Sequence, residues 1–560
     1  MNAQARPPIV TEARLSAAAP PRPLGGAARR RPAGWPGGRP ALLAVLVLLA
    51  LAQFGVWRAC GVEAPGFPLA AALLGALAGF AVLRVPGGLR PGAIAALFLL
   101  AQLLAALLVA AAHRPAALPA LPWLLAQAAA SLLLLHRARL VADAIASRSF
   151  ARRVPAVAGA LLQPLPRVSL HLPVADAPLP LLRATLDSLA ELDHPALEVL
   201  VVDASSSPAQ WEPVAEHVAR LGPRFRFFHI GPVPAAARAF ALRETAPDAL
   251  LIGLVEPGAV VDSDWLRRCL PLFLNHAGLG FVQAGSAAPA GPETLAGRLA
   301  YAAAPAAWPL PRQAANEQMA VTLQGSLSLL RAEALRLAGG WDLAAPDQPA
   351  ELGLRLLRQG WEALDLPEAM GHAAPQAEAA PGLLQRLRRH ADVLFSPRHR
   401  GLTPGQRRHL LAPANAALTE ALWLGMALLG IGASLGMLAG RQLGQAPVLP
   451  FAVVVLLLPL AAMLPALLLA PKGHRALALL AAVALMPARG AEAWRVATAW
   501  QTRHPPLPAG SLALMLAALA LVSLPTAPLW SAVLLGFALP DAAGWLLARR
   551  LRPEAPADWR

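Results

Sequence analysis

The sequence predicts an α/β domain with a parallel sheet, placed between two groups of membrane-spanning helices. The chain of 560 residues is 57% hydrophobic and only 14% charged, whereas soluble proteins are about 45–50% apolar and about 25% charged. Apolar runs of about 20 residues, long enough to cross a bilayer core, occur before residue 137 and after residue 410. Between them, apolar strands alternate with helical stretches, which is the pattern of a parallel sheet covered by helices on both faces.

The apolar runs and the charges divide the chain into seven segments. In order, these are a basic disordered arm (1–39), four transmembrane helices (40–136), a cytosolic domain (137–410), two transmembrane helices (411–472), an interfacial amphipathic segment (473–507), two transmembrane helices (508–548) and a cytosolic tail (549–560). The first segment holds seven arginines and one acid, and further arginines follow the apolar runs at Arg137, Arg475 and Arg549. Basic residues collect on the cytoplasmic side of a membrane, so both termini and the central domain are predicted to be cytoplasmic.

The interfacial segment is assigned from its tryptophans and arginines. Trp494 and Trp500 interleave with Arg495 and Arg503, which is typical of a helix that lies in the plane of the membrane interface. The alternative is an additional, poorly formed span. That span would move the C-terminal tail, with its arginines, to the opposite side of the membrane.

Composition also excludes several classes of protein. Two cysteines exclude a disulfide framework and a cysteine-rich metal or iron–sulfur site. The net charge of +16 comes almost entirely from arginine in a chain rich in Ala, Gly and Pro, so we attribute it to GC-rich coding. We expect the lipid bilayer as a partner and no nucleic acid. Few charges lie within the apolar runs, which argues against a channel or transporter with an ion path.

The predicted site lies where the strands of the central domain end. The strands are "RVSLHLPV", "LEVLVVD", "RFRFFHI" and "ALLIGLV". Ligands of parallel sheets bind beyond the carboxyl ends of the strands, which are the loops after Pro173, Val202 and Val255. His171, inside the first strand, is predicted to be a core or strand-surface histidine.

These segments resemble a known family. They begin with the run "RVSLHLPVADAPLPLLRATLDSLAELDHPALEVLVVDASS" and continue through "RFRFFHIGP", "VVDSDWL", "GFVQA", "RAEALRLAGGW" and "ELGLRLLRQGWEA". Together these runs are similar to membrane-bound family-2 glycosyltransferases of the bacterial cellulose-synthase-like type. The resemblance covers residues 165–400. It implies a GT-A-like fold, a bacterial inner (plasma) membrane location, and inverting transfer of a sugar from a nucleotide-sugar such as a UDP-sugar. In such enzymes Mg²⁺ or Mn²⁺ neutralises the leaving diphosphate, and a carboxylate removes the acceptor proton.

Part of the family's site is retained. The resemblance assigns nucleotide-sugar contacts to Asp203, at the end of the second strand, and to Glu256, the first acid of the Asp-x-Asp motif. Gln385, Arg386 and Arg388 remain from the acceptor motif and are candidates for acceptor or phosphate binding. The family's lysine-containing loop here reads "PAAARAFAL", in which Arg238 is the nearest cation.

Other parts of the site depart from the family pattern. The second acid of Asp-x-Asp is Gly258, the Glu-Asp base pair falls on Gln348-Pro349, and the acceptor-stacking tryptophan is Arg389. Asp347 is a candidate base shifted by one residue, with a turn role as the alternative. The opening loop Pro173–Ala177 lacks the family's aromatic residue and its acid. We assign no metal ligand, and Mg²⁺ or Mn²⁺ is expected only if the chain is active.

A second Asp-x-Asp sequence lies a few residues further on. Asp262-Ser263-Asp264 matches a segment of the family downstream of the catalytic motif. We therefore expect Asp262 to cap the helix that follows rather than to bind metal.

Two functional interpretations remain. In the first, erosion of the metal, base and acceptor motifs makes the protein a catalytically impaired or silent relative, kept as a structural or regulatory subunit beside an active polysaccharide synthase. In the second, it is an active inverting glycosyltransferase that builds or modifies an extracellular polysaccharide.

Overall fold

A computed structural model describes the central domain and the helices that surround it. The described residues are 117–147, 165–287, 298, 299, 302, 308–345, 347–372, 401–439, 448–497 and 510–551. The predicted basic arm, the first three predicted spans, Gln385, Arg386, Arg388 and Arg389 lie outside them.

The central domain is built on one eight-stranded sheet. Its strands are β1 (Val168–Val174), β2 (Leu197–Asp203), β3 (Phe225–His229), β4 (Leu251–Leu254), β5 (Val260–Val261), β6 (Leu279–Ala287), β7 (Ser328–Arg331) and β8 (Glu362–His372), in the spatial order β3-β2-β1-β4-β7-β6-β8-β5. The first four strands coincide with the four predicted ones and pair in parallel. β7 runs antiparallel to β4 and β6, so the sheet is mixed rather than wholly parallel.

Helices cover both faces of this sheet, as the alternating pattern predicts. The domain helices are α2 (Leu179–Ala190), α3 (Pro208–Leu221), α4 (Pro234–Glu244), α5 (Trp265–Asn275), α6 (Pro309–Glu317), α7 (Ala332–Leu337) and α8 (Gln348–Arg358). The apolar faces of α2, α3 and α5 share one core with Leu170 of β1 and Val201 of β2. Successive residues of β2 point to opposite faces, so Val202 packs against α4 on the other side.

His171 is buried in the sheet, in keeping with the prediction of a core histidine. It is fully shielded from solvent, and its Nε2 lies 2.8 Å from the Thr245 hydroxyl, which itself donates to the carbonyl of Ala241. Because that hydroxyl proton is used, Nε2 carries the ring proton. Burial lowers the pKa of His171 to about 3, so the ring is neutral at physiological pH and serves packing.

The helix after β5 corrects the prediction for Asp262. α5 begins at Trp265, and its N-cap residue is Asp264, whose side chain makes no capping hydrogen bond. Asp262 contributes through its backbone, since its carbonyl accepts from the amide of Trp265 at 3.0 Å and its amide donates to Met370 at 3.0 Å. The acid therefore belongs to a turn held against β8.

The remaining helices pack together beside the domain. They are α1 (Ala117–Ala146), α9 (Pro404–Leu410), α10 (Ala412–Leu438), α11 (Val448–Leu469), α12 (Arg475–Ala484), α13 (Met486–Ala497), α14 (Ser511–Ser523) and α15 (Pro528–Leu551). Their shared core includes Trp423, Phe537 and Trp530, whose indole N–H donates to the Ser434 hydroxyl at 2.9 Å. By length and composition, Ala412–Leu438 and Pro528–Arg549 could each cross a membrane. Two such helices in the described part of the chain are weak support for a membrane arrangement.

A polar junction joins these helices near their domain ends. α1 continues ten residues past the predicted span end at 136, and Arg137 donates to the Asn415 side chain of α10 at 2.7 Å. Nearby, Arg408 lies 2.8 Å from Asp143 and Arg489 lies 3.4 Å from Glu420. The charged side chains at these helix ends are partly buried, and each of these contacts gives such a side chain a polar partner, which lowers the cost of burying it.

Candidate functional site

The candidate site lies at the carboxyl ends of β1, β2 and β4. β2 and β4 flank β1 on opposite sides, so the connections diverge there, and ligands of such sheets bind in the crevice at this divergence. Asp203 ends β2 and Glu256 follows β4. The fold therefore brings these two predicted residues to the same edge of the sheet, one on each side of the β1 loop.

Asp203 is wholly buried and holds the loop that follows it. Its Oδ1 accepts from the amide of Ser205 at 2.9 Å, and its Oδ2 accepts from the Ser205 hydroxyl at 3.0 Å. The Nδ1 of His229, at the end of β3, lies 3.2 Å from Oδ1. An aspartate that bonds to the backbone two residues on forms an Asx turn. Asp203 thus shapes the loop at the edge of the crevice from a buried position.

The β1 loop is tied to this network through Asp176. The Asp176 amide donates to the Ser205 hydroxyl at 3.0 Å, and its Oδ1 accepts from the amide of Ser206 at 3.2 Å. Asp176 has a φ of 46°, in the left-handed region, which Asp tolerates better than most residues. The opening loop thus keeps an acid at the site edge, although in a different position from the family motif.

An aromatic pair adjoins the buried carboxylate. The ring of His229 stacks on Trp211 of α3 with centroids 4.7 Å apart and planes 23° from parallel. The His229 side chain is 31% exposed while Asp203 is fully buried. The β2–β3 side of the crevice is therefore a partly exposed flat surface backed by an acid.

On the β4 side, Glu256 is held by an arginine from α4. Arg238 Nη2 donates to Glu256 Oε1 at 2.6 Å, and both side chains are largely buried, at 16% and 10% exposure. Arg238 Nη1 lies 3.5 Å from Gln348 Oε1 at the start of α8. The guanidinium also lies 6.0 Å from the centre of the Trp341 ring, within cation–π range. Arg238 thus joins the Asp-x-Asp position to the family's base position.

The loop before β7 fits closely around the Glu256 carboxylate. A Cβ added at Gly325 would lie 1.8 Å from Glu256 Oε1, so no side chain fits at 325 while the carboxylate stays in place. The buried Gln283 of β6 fixes this loop, because its Nε2 donates to the Ser326 carbonyl at 3.0 Å and its Oε1 accepts from the Gln324 amide at 3.1 Å. The position of Glu256 is therefore set by packing as well as by charge.

Gly258, which the sequence resemblance aligns with the second Asp-x-Asp position, lies in a turn. The Ala259 amide donates to the Glu256 carbonyl at 3.0 Å, Pro257 precedes Gly258, and Gly258 has a φ of 89°. Proline followed by a residue with positive φ is the signature of a type II turn. The Gly258 amide donates to the Thr185 hydroxyl at 2.9 Å. Both the backbone and the side chain thus differ from what a metal-binding acid requires.

The residues present do not fit the divalent metal that the family implies. A divalent cation such as Mg²⁺ that binds with a nucleotide is held by one or two protein carboxylates together with the phosphates. Here Gly258 supplies no carboxylate, and Glu256 is engaged by the guanidinium of Arg238. In the described part of the chain, no group of three or more His, Cys, Asp or Glu side chains is arranged to hold a metal ion.

Asp347 serves as the N-cap of α8. Its carboxylate accepts from the amide of Ala350 at 3.0 Å, which satisfies one of the first N–H groups of the helix. Gln348 and Pro349, at the family's base position, are both buried, and Gln348 Nε2 donates to the Ala235 carbonyl at 2.8 Å. The structure therefore supports the turn role of Asp347 and gives the base position a structural role.

Comparison with known proteins identifies the central domain. Residues 166–391 match the model of the family described as "Glycosyltransferase like family 2". The central domain is a family-2 glycosyltransferase-like domain. Together with the strand order, this confirms a GT-A-like α/β sheet domain. No curated protein matches the chain.

Two solved structures that resemble the chain are distant from it in sequence. The mannosyltransferase PcManGT from Pyrobaculum calidifontis, in complex with GDP-Man and Mn²⁺, is 17% identical, with a TM-score of 0.36 over 74% of this chain and 99% of that chain. S. aureus TarS 1-349 in complex with UDP-GlcNAc is 12% identical, with a TM-score of 0.33 over 61% of this chain and 95% of that chain. We draw no functional conclusion from these two.

Several residues of the site were not predicted from the sequence. The serines after Asp203 are a local signal for an Asx turn and could have been recognised. Gln283 and Gly325 carry no such signal, since their roles depend on neighbours more than 40 residues away in the chain. The pairing of Arg238 with Glu256, 18 residues away, and with Gln348, 110 residues away, has no local signal either, because it depends on how separate elements of the fold meet.

The turn at Gly258 leads to a stability prediction. Gly258→Val places a β-branched residue at positive φ and should lower the free energy of unfolding by about 1–2 kcal/mol. Gly258→Asn, of similar size, should cost less, because Asn tolerates the left-handed region. Denaturant unfolding of both variants in the same detergent measures this difference. Equal costs for the two variants would contradict a left-handed residue at 258.

Proposed function

We propose that the protein is a polytopic membrane glycosyltransferase-like protein of the polysaccharide-synthase type, in which nucleotide binding persists and sugar transfer is lost or strongly impaired. The observation that carries the proposal is the Arg238–Glu256 pair beside the Pro257-Gly258 turn. Where the family needs two carboxylates free for a metal diphosphate, this chain has one carboxylate, and that one is bound to an arginine.

The loss of transfer is supported by two needs that fail independently. Without metal carboxylates the leaving diphosphate is not neutralised by a divalent ion, and removal of a single transition-state donor already costs about 100–1,000-fold in rate. At the base position, Gln348 and Pro349 cannot accept a proton as a carboxylate does, and a general base contributes about 100–10,000-fold. Asp347, next to them, is used as a helix cap.

Persistent nucleotide binding is supported by the β2–β3 side of the crevice. Asp203, Ser205 and Asp176 form a closed hydrogen-bond network beside the stacked rings of Trp211 and His229. The partly exposed ring of His229 offers a face on which a nucleoside base can stack, and the buried Asp203 holds this ring and the following loop in place. This half of the site keeps the family's acid at Asp203, although its opening loop departs from the family pattern.

Turnover measurements test the proposed loss of activity. Purified protein in nanodiscs, given a panel of nucleotide-sugars with Mg²⁺ and Mn²⁺, should release no nucleoside diphosphate above background. Gly258→Asp alone and Pro349→Asp alone should stay inactive, because residues that act as a unit are not additive. Wild-type turnover of about 1 s⁻¹ or more, within the usual enzyme range, would contradict the proposal. If Asp347→Asn then abolished that turnover, Asp347 would be the base of an active inverting transferase.

We also propose a bacterial inner-membrane location with the central domain and both termini in the cytoplasm. Large leucines on the outer helices are exposed, among them Leu456 at 70%, Leu514 at 75% and Leu539 at 66%, and such a surface needs apolar surroundings. The arginines that follow the apolar runs favour the cytoplasmic side for the domain.

Reporter fusions test this topology. Fusions at residues 30, 300 and 555 should all report a cytoplasmic position, because the arginines of each flanking segment resist translocation. A fusion within the predicted loop between the seventh and eighth spans, near residue 528, serves as the matched control and should report the opposite side. A periplasmic signal at residue 300 would overturn the arrangement.

A further inference from the structure

We propose that Arg238 is the cation of this site, and that its guanidinium, rather than a divalent metal, receives the diphosphate of a bound nucleotide. The inference rests on the proposed function, since it assumes that a nucleotide enters the crevice. The inference adds to the proposed function that one residue binds the diphosphate. It also gives Glu256 a new role, as the counter-ion that pairs with Arg238 when no ligand is bound.

Arg238 is positioned where a cation is needed. It lies in α4, directly after the loop that leaves β3, and reaches across to the Asp-x-Asp position after β4. Glu256, Gln348 and Trp341 hold it from three different elements. A guanidinium fixed in this way loses little further conformational freedom when an anion binds.

The chemistry of the guanidinium suits a diphosphate. Its planar set of N–H donors matches two phosphate oxygens at once, and charge-assisted hydrogen bonds of this kind are about twice as strong as neutral ones. In the described residues its side-chain acceptors are Glu256 Oε1 and Gln348 Oε1. The second contact, at 3.5 Å, is long for a hydrogen bond, so Nη1 gives up little when it donates to a phosphate oxygen instead.

The same pair works against a divalent ion. A metal bound by Glu256 would lie next to the guanidinium, and two positive charges at such short range repel strongly in a partly buried site. The carboxylate would also have to leave Arg238, with which it makes a 2.6 Å contact. Arg238 therefore both neutralises the acid that survives from the family motif and replaces the ion that the motif would bind.

Substitution of Glu256 distinguishes a metal-binding role of this residue from a counter-ion role, because the two roles predict opposite changes in nucleotide affinity. If Glu256 holds a metal for the diphosphate, Glu256→Gln weakens nucleotide binding. If Glu256 competes with the diphosphate for Arg238, Glu256→Gln removes the competitor and strengthens binding. The amide of Gln has nearly the shape of the carboxylate and still offers an acceptor to Arg238, so the packing against Gly325 is preserved.

The experiment is calorimetric titration of the full-length protein in nanodiscs with UDP, and with uridine as the phosphate-free control. Wild-type affinity for UDP should be the same in EDTA and in Mn²⁺. Glu256→Gln should bind UDP more tightly. The double variant Arg238→Gln/Glu256→Gln should bind UDP about 10- to 100-fold more weakly than Glu256→Gln, the usual effect of one hydrogen bond to a charged group. Uridine affinity should not change.

Two features keep the result interpretable if a variant folds poorly. The double variant removes both charges, which is far better tolerated than leaving one of them buried alone. Arg243→Gln is the matched control, because Arg243 lies in the same helix but its side chain is 68% exposed. This variant should leave UDP binding unchanged. Thermal unfolding of each variant in the absence of nucleotide verifies that the domain is intact.

The outcomes distinguish the inference from the function on which it rests. UDP binding that is equal in Glu256→Gln and in the double variant would overturn the role of Arg238, while nucleotide binding itself would stand. Weaker binding by Glu256→Gln than by wild type in Mn²⁺ would restore the metal assignment. Failure of both UDP and uridine to bind wild type would overturn the proposed nucleotide binding and the inference with it.

Discussion

The ion pair between Arg238 and Glu256 is the constraint on which the candidate site depends. It joins the helix after β3 to the loop after β4, and through Gln348 it reaches the start of α8. Breaking a largely buried ion pair by removing one partner typically costs about 3–5 kcal/mol, because the other charge is left uncompensated. Neither residue can therefore change alone without cost, and neither is available for other chemistry without being released by a ligand.

The departures from the family pattern are built into the backbone as well as the side chains. Gly258 occupies a turn with positive φ, and Pro349 occupies the first turn of α8, where a fixed φ and a missing N–H are favourable. Asp347 caps the same helix. Each of these residues now satisfies a local structural requirement. This explains how the sheet and its helices are well packed around the positions to which the family resemblance assigns metal and base carboxylates.

The first four strands follow from features that the sequence displays locally. The run "LEVLVVD" is apolar on both faces and is bounded by turn residues, which indicates a strand of a buried parallel sheet. In "RVSLHLPV" apolar residues alternate with Ser169 and His171, and the strand is assigned from that period of two. The positions of Asp203 and Glu256 at strand ends follow from the same assignment. The antiparallel β7 could not be assigned in this way, because four residues carry too little periodicity.

The site itself was less predictable, since its contacts are long-range. A cation at 238 is visible in the sequence, but its pairing with an acid 18 residues later and a glutamine 110 residues later depends on how β4 and α8 meet. The start of α5 shows the same limit on a smaller scale. Asp262 and Asp264 are both possible caps from the sequence, and the backbone bond from the Arg268 amide to the Asp264 carbonyl identifies Asp264 as the N-cap. The acceptor candidates Gln385, Arg386 and Arg388 stay predictions from the sequence.

The central claim is that an arginine has taken the place of the metal at this site, and manganese binding tests it most directly. Electron paramagnetic resonance of free Mn²⁺, titrated with the full-length protein in the absence of nucleotide, measures the ion that the protein removes from solution. Wild type and Glu256→Gln should give superimposable titrations, because Glu256 is engaged by Arg238. A manganese site present in wild type and lost in Glu256→Gln would contradict the account.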